Sequence, residues 1–292
     1  MVDRKGIFSY LAITFGITYA IEGTLILAGF RMTRLPPIYG QLVIAGVMWV
    51  PALSTVLTVK FVTREGFGVT NFHIGALKPY LISALVVPVC FVVTYGLTWL
   101  FGLGQPDWAL DDFRALMAST GVDVSTMPPS GLVLPVVFAT SLLVGPTING
   151  IFGFGEEFGW RGYLLPKLMG LGKLKAYTIV GVIWGLWHAP LILVGFNYPG
   201  YPLLGVVGMA AMTTAIGVYI NELALRNRSS ILAGWIHGAF NGQVYGIWRL
   251  LFPTVNPLVG GFTGVVGIAV WLAVGLWVVW RSGREPSARA DQ

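Results

Sequence analysis

Eight long, nearly uncharged apolar stretches run through this chain, near residues 8–29, 41–62, 80–103, 131–153, 175–196, 203–225, 230–252 and 258–280. A helix that crosses a bilayer needs roughly 20 mostly apolar residues, and each stretch meets that length. The fold expected is all-α: a polytopic membrane protein of about eight transmembrane helices enclosing a polar catalytic cavity. A membrane β-barrel would show short alternating segments instead of continuous apolar runs. Mean hydropathy of +0.77 excludes an ordinary soluble domain.

The formal net charge is +6, which in a soluble protein would raise nucleic acid as a partner. The distribution argues otherwise. With the N-terminus inside, fourteen of the eighteen basic residues fall on inner segments, and only Arg31, Arg34, Arg114 and Arg249 fall outside. That asymmetry follows the positive-inside rule and places both termini in the cytoplasm. The partner implied is the lipid bilayer, with no nucleic acid. No cleavable signal peptide is evident; residues 1–292 read as one integral membrane domain ending in a short cytoplasmic tail at 281–292. The single cysteine, Cys90, lies inside a span and reads as a small buried hydrophobe. The polar connection 104–130 reads as an outer solvated loop with a short surface helix at "WALDDFRALM", and His73 as a solvated loop residue.

Ionisable groups at membrane depth are costly and face a cavity or a partner. They cluster in three places. In "GEEFGWRGYLLP", Glu157 and Arg161 are four apart and pair along one helix face. Glu156 is rotated about 100° away and lacks that partner, which suits it to act as a general base. In "GVIWGLWHAP", His188 is the lone ionisable residue, with Trp184 one turn earlier. Gly181 and Gly185 would admit a neighbouring helix closely. In "LAGWIHGAFNGQVYG", His237 and Asn241 share one face, beside a stripe of Gly234, Gly238 and Gly242. Helix-to-helix hydrogen bonding explains Glu22 and Glu222 adequately. It does not call for two carboxylates, two imidazoles and an amide. Glu156, Glu157, His188, His237 and Asn241, if they converge, supply a base, a proton shuttle and donors for an oxyanion, supported by Arg161 and Trp184.

At these residues the sequence resembles the CPBP intramembrane endopeptidases, a family that takes in type 2 CAAX prenyl proteases, bacteriocin-processing or immunity proteins and the Abi group. The family's E-E-x-x-x-R stands here as Glu156, Glu157 and Arg161. Its F-x-x-x-H stands as Trp184 and His188, with tryptophan for phenylalanine, and its H-x-x-x-N as His237 and Asn241. The likeness covers about 130–250. It implies a catalytic core there and peptide-bond hydrolysis in or near the cytoplasmic half of a membrane, the plasma membrane if the source is prokaryotic. Substrates would be peptides or proteins with a hydrophobic or lipidated segment. The resemblance leaves two mechanisms open: a glutamate-activated water, slightly preferred, and a divalent metal such as zinc held by His188, His237 and Glu156. Zincin geometry, H-E-x-x-H, is absent. The competing readings are a non-catalytic immunity or scaffold protein, and a proton-coupled transporter.

Overall fold

The computed structural model describes residues 3–32 and 38–284; Arg34 and positions 285–292 of the expected tail lie outside them. Among the described residues all regular structure is helical. Eight principal helices follow in order: α1 (Arg4–Leu27), α2 (Tyr39–Thr63), α3 (Lys78–Leu100), α4 (Ser130–Leu171), α5 (Lys173–Trp187), α6 (Pro202–Asn227), α7 (Ser230–Val244) and α8 (Val265–Ser282). Lipid offers the backbone no hydrogen bonds, so apolar runs of this length close their own as helices. Local signals set the ends. Asp3 caps α1 by accepting from Gly6 N at 2.9 Å, and Ser229 caps α7 by accepting from Leu232 N at 2.9 Å. Gly172 takes φ +91, a conformation open to glycine, and lets the chain turn from α4 directly into α5.

Six of the eight are long and apolar enough to cross a membrane by length and composition: α1–α4, α6 and α8. The other two differ from expectation. Helices α5 and α7 each have 15 residues, which at 1.5 Å per residue reach only about 22 Å. Helix α5 stops where His188 and Pro190 interrupt it, and α7 ends at a turn after Val244. Helix α4 errs in the opposite sense. It continues past the expected end at 153 to Leu171, changing to π-helical winding at Gly145–Asn149 and Phe158–Leu164. It can do so because its charges are neutralised inside the bundle. Arg161, counted above among inner-loop cations, is fully buried instead. The last helix likewise runs through Ser282, so the tail starts two residues later than expected.

Packing centres on α6, which lies along α5 and α8, and on α7, which lies along α4 and α3. Two seams are lined by small residues. Gly181 and Gly185 of α5 sit against Thr214 and Ala210 of α6, as their spacing predicts. Gly234, Gly238 and Gly242 of α7 sit against α4: a Cβ on Gly242 would meet Gly145 Cα at 2.5 Å, and one on Gly234 would meet Phe154 Cα at 2.8 Å. One on Gly238 would collide with the Gly150 backbone. Outside the bundle, large apolar side chains such as Phe8, Leu27, Leu85 and Leu143 are exposed, the surface that lipid solvates. Cys90 is buried and free, as expected, and His73 is exposed. The 104–130 connection contains a helix at Asp111–Ser119 with no buried residue. Glu222 is held by Lys173 at 2.7 Å and the Tyr177 hydroxyl at 2.8 Å, in keeping with a structural role.

The α4–α7 seam makes a direct prediction. Gly238→Ala forces two backbones apart and should lower the thermal midpoint in detergent by the equivalent of about 1–3 kcal/mol. Gly96→Ala on α3, where a Cβ meets nothing within 4 Å, should leave it unchanged or slightly raised. Equal midpoints for the two variants would contradict close backbone contact at the seam.

Candidate active site

The carboxylates of α4 lie where α5, α6 and α7 meet. Glu157 accepts from Arg161 Nη1 at 2.8 Å, the pair read from their four-residue spacing. The same Oε1 accepts from His237 Nδ1 at 2.9 Å. Arg161 Nε in turn donates to Asn221 Oδ1 of α6 at 2.9 Å, and its guanidinium lies 4.3 Å from the Trp184 ring centroid. Gly217, one turn from Asn221, leaves the space that Arg161 Nη2 approaches, since a Cβ there would stand 3.3 Å from it. A bond from Nδ1–H to a carboxylate fixes the orientation of the His237 ring and leaves Nε2 facing the second carboxylate. That nitrogen stands 4.0 Å from Glu156 Oε1.

Glu156 is not without a partner, contrary to the expectation from spacing. The Trp184 indole N–H donates to its Oε2 at 2.7 Å. Trp184 therefore does more than fill the place of an aromatic. It orients the carboxylate, lies under Arg161, and meets the His237 ring edge-on at 5.3 Å. The convergence brings Glu156, Glu157, Arg161, Trp184 and His237 into one cluster, all buried.

His188 and Asn241 border that cluster and are half-buried. His188 Nδ1 lies 2.9 Å from the Trp184 carbonyl oxygen one turn earlier, which it reaches as a donor. Its ring meets Trp187 at 4.9 Å and lies parallel to Phe196 at 6.1 Å. It makes no hydrogen bond to Glu156 or His237. Asn241 stands one turn beyond His237 on α7, and its side chain makes no hydrogen bond among the described residues. A cavity of about 410 Å³ opens beside these two residues, with Phe196 and Tyr245 on its wall. An apolar groove of about 370 Å³ lies toward the other end of α7, lined by Phe72, Tyr80, Ile151, Phe154, Ile231 and Trp235.

The alternative zinc set of His188, His237 and Glu156 is not gathered as one group. Among the described residues no three His, Cys, Asp or Glu side chains group to hold a metal ion.

One residue escaped the sequence reading, and another was read only in part. Asn221 is a lone amide in an apolar helix, and only the bundle shows that it completes the Arg161 shell. Glu22 was read as a helix-to-helix hydrogen-bonding group, yet its buried Oε2 has no hydrogen-bond partner, and it lies close enough to Glu156 for the two charges to interact. It ends a buried α1 stripe of Tyr10, Thr14, Thr18 and Glu22 at four-residue intervals. Thr18 accepts from the Trp187 indole at 2.8 Å. That periodicity of polar residues was the available signal.

Trp184→Phe tests the indole's role. It keeps an aromatic ring but removes the N–H, leaving Glu156 Oε2 buried without its donor. We expect about a tenfold loss in kcat with KM little changed, the cost of one buried hydrogen bond to a charged group. Wild-type kcat in this variant would reduce Trp184 to packing.

Residues 132–243, which contain every motif residue, match the family model described as Type II CAAX prenyl endopeptidase Rce1-like. A protein of Methanococcus maripaludis named CAAX prenyl protease 2 is 28% identical over 238 residues, covering 76% of this chain and 78% of the relative.

Proposed function

We propose, from the family match over 132–243 and the likeness to a CAAX prenyl protease, that this chain is a CPBP-type intramembrane protease whose chemistry is hydrolysis of a peptide bond by a water activated at Glu156. The likeness to a protease family speaks against the transporter reading, and the presence of all the motif residues disfavours a non-catalytic immunity or scaffold protein. One observation carries the mechanism: Glu156 is held at Oε2 by Trp184 while Oε1 faces His237 Nε2 across 4.0 Å. The oxygen that faces His237 is free to take a proton.

In the proposed sequence, Glu156 removes a proton from water as the oxygen attacks the scissile carbonyl carbon. The carbonyl oxygen becomes an oxyanion, which accepts from the Asn241 amide. His237, protonated on both nitrogens and held by Glu157, adds a second donor. Glu157 does no chemistry itself; paired with Arg161, it holds the imidazole in place. When the tetrahedral intermediate collapses, the C–N bond breaks and the proton held by Glu156 passes to the leaving amine, with His188 as the shuttle. The products are a carboxylic acid and an amine. No step of this sequence uses a metal.

The substrate class we infer is a peptide anchored by a hydrophobic or lipidated segment. The apolar groove supports this, since its wall of Phe72, Tyr80, Ile151, Phe154, Ile231 and Trp235 carries no charge. The C-a-a-X proteins of the relative's name fit that description. The basic residues collect at the N-terminal ends of α1, α3 and α5 and the C-terminal ends of α2, α6 and α8, which argues for a cytoplasmic location of both termini. The larger cavity lies at the other end of the bundle, among residues 195–199 and 244–263. With the termini inside, its mouth faces away from the cytoplasm, against the cytoplasmic-half site that the resemblance alone implies.

Two experiments test these readings. Purified protein and a quenched hydrophobic or prenylated peptide should show Glu156→Gln reduced at least about 10²-fold in kcat and Asn241→Ala about 10²–10³-fold. Turnover equal to wild type in both would end the mechanism. For topology, Thr254→Cys and Lys175→Cys in a Cys90→Ala background should differ in whole cells. A membrane-impermeant maleimide should label the first and spare the second; the reverse pattern would invert the orientation.

A further inference from the structure

One buried carboxyl has no part in the mechanism. Glu22 of α1 is 2% exposed, its Oε2 has no hydrogen-bond partner, and no cation pairs with it among the described residues. The other buried carboxylates outside the reacting pair are met by a cation: Arg161 holds Glu157, and Lys173 holds Glu222. Arg31, the nearest cation along the chain, is turned to the carbonyls of Ile26 and Phe30 instead. A carboxyl at membrane depth with neither cation nor donor is costly to keep, and such groups mark function.

The path of α1 fixes where Glu22 stands. Tyr10 packs edge-on against Trp160 of α4 at 5.7 Å. One turn short of Glu22, Thr18 accepts from the Trp187 indole at 2.8 Å, and Tyr19 donates to the Leu186 carbonyl at 2.6 Å. Beyond it, the Met32 N–H donates to the Val194 carbonyl at 3.0 Å. Between these fastenings Glu22 runs beside the stretch that opens at His188, and the charge of Glu156 reaches it across the site. Helix α2 packs on the same helix and has no titratable residue between Tyr39 and Lys60; residues 189–195 have none either. The titratable groups around Glu22 are therefore Glu156, His188 and, on its own helix, Tyr19. Glu156 in turn faces His237, with Glu157 and Arg161 behind it.

We propose that Glu22 is the proton-sharing partner of Glu156, a residue that acts on the reaction through that carboxylate. The inference rests on the protease reading and extends the site to α1, outside the segment that the family model matches. Two ionised carboxylates facing each other in an apolar interior are costly, so such a pair loses its protons in two separated steps that belong to both. A charged Glu22 makes Glu156 take the proton of water more readily than it would alone. The pair holds the proton that leaves the water and returns one to the leaving amine, so the cycle ends with the charge it began with. Glu22 touches no reacting atom.

The test uses the full chain in nanodiscs of zwitterionic lipid and a quenched hydrophobic peptide, with kcat/KM followed against pH. Glu22→Gln keeps the shape and removes the like charge, so activity should persist to lower pH. The acid limb should move down by about one pH unit or more and show one ionisation in place of two. Glu22→Asp, which keeps a carboxyl, should retain two. A purely structural Glu22 would lower the rate alike at every pH. That result, or an unmoved limb in an active Glu22→Gln enzyme, would overturn the pairing and leave the protease reading intact. Infrared difference spectra against pH decide the matter without turnover, since the carbonyl band that Glu156→Gln abolishes is that of Glu156. In Glu22→Gln this band should titrate about one pH unit lower than in wild type; equal midpoints would overturn the proposal. If no peptide is cleaved, the protease reading fails, while the infrared shift would still establish the pair, and its absence would refute it. Should Glu22→Gln melt too early for assay, Glu22→Asp takes its place. Withdrawing the carboxyl by one methylene should bring the two ionisations closer together, and an unchanged separation would overturn the pair.

Discussion

The pairing of Arg161 with Glu157, fully buried at 2.8 Å, is the interaction on which the centre of this bundle depends. Moving one ion from water into such an interior costs several kcal/mol, and a pair recovers this only when its remaining valences are used. Here several of them are filled from three helices, while Glu157 Oε2 and Arg161 Nη2 keep no hydrogen-bond partner. Asn221 of α6 accepts from Arg161, Trp184 of α5 lies against its face, and His237 of α7 donates to Glu157. The pair is therefore a junction as much as a bond. Without it α4 would have to leave the membrane near residue 153, and Glu156 would go with it.

The same junction accounts for what the sequence disclosed and what it withheld. Spacing within one helix was legible: Glu157 with Arg161, His237 with Asn241, and the small faces of α5 and α7 all follow from a period of 3.6 residues. Relations between helices were not. Nothing in "WGLWH" says that the Trp184 indole reaches Glu156, and nothing near Glu22 in the first span points to residue 156 in the fourth. Two span boundaries failed for a related reason. Hydropathy treats charge as a mark of water, so it ended α4 before a charged run that the bundle in fact buries. It also continued α5 and α7 through apolar residues that belong to the turns around the cavity.

Fold and chemistry are consequently hard to separate in this protein. The residues that neutralise one another to keep α4 helical are those that set the imidazole opposite Glu156. The family match over 132–243 covers that junction and both glycine-bearing partners, α4 and α7. Helix α1 lies outside the matched segment, yet it closes the site with its own buried polar stripe.

The glycine seam between α4 and α7 has a consequence for how such an enzyme can diversify. Where two helices touch main chain to main chain, no side chain remains to be enlarged or trimmed, so the gap between imidazole and carboxylate is set by the thickness of the polypeptide itself. Mutation cannot adjust that gap by small steps. New preferences must arise instead at exposed positions of the connections at 195–199 and 245–263, such as Pro199 and Tyr245. A lineage of these proteins would thus vary in what it accepts while its cutting geometry stands still.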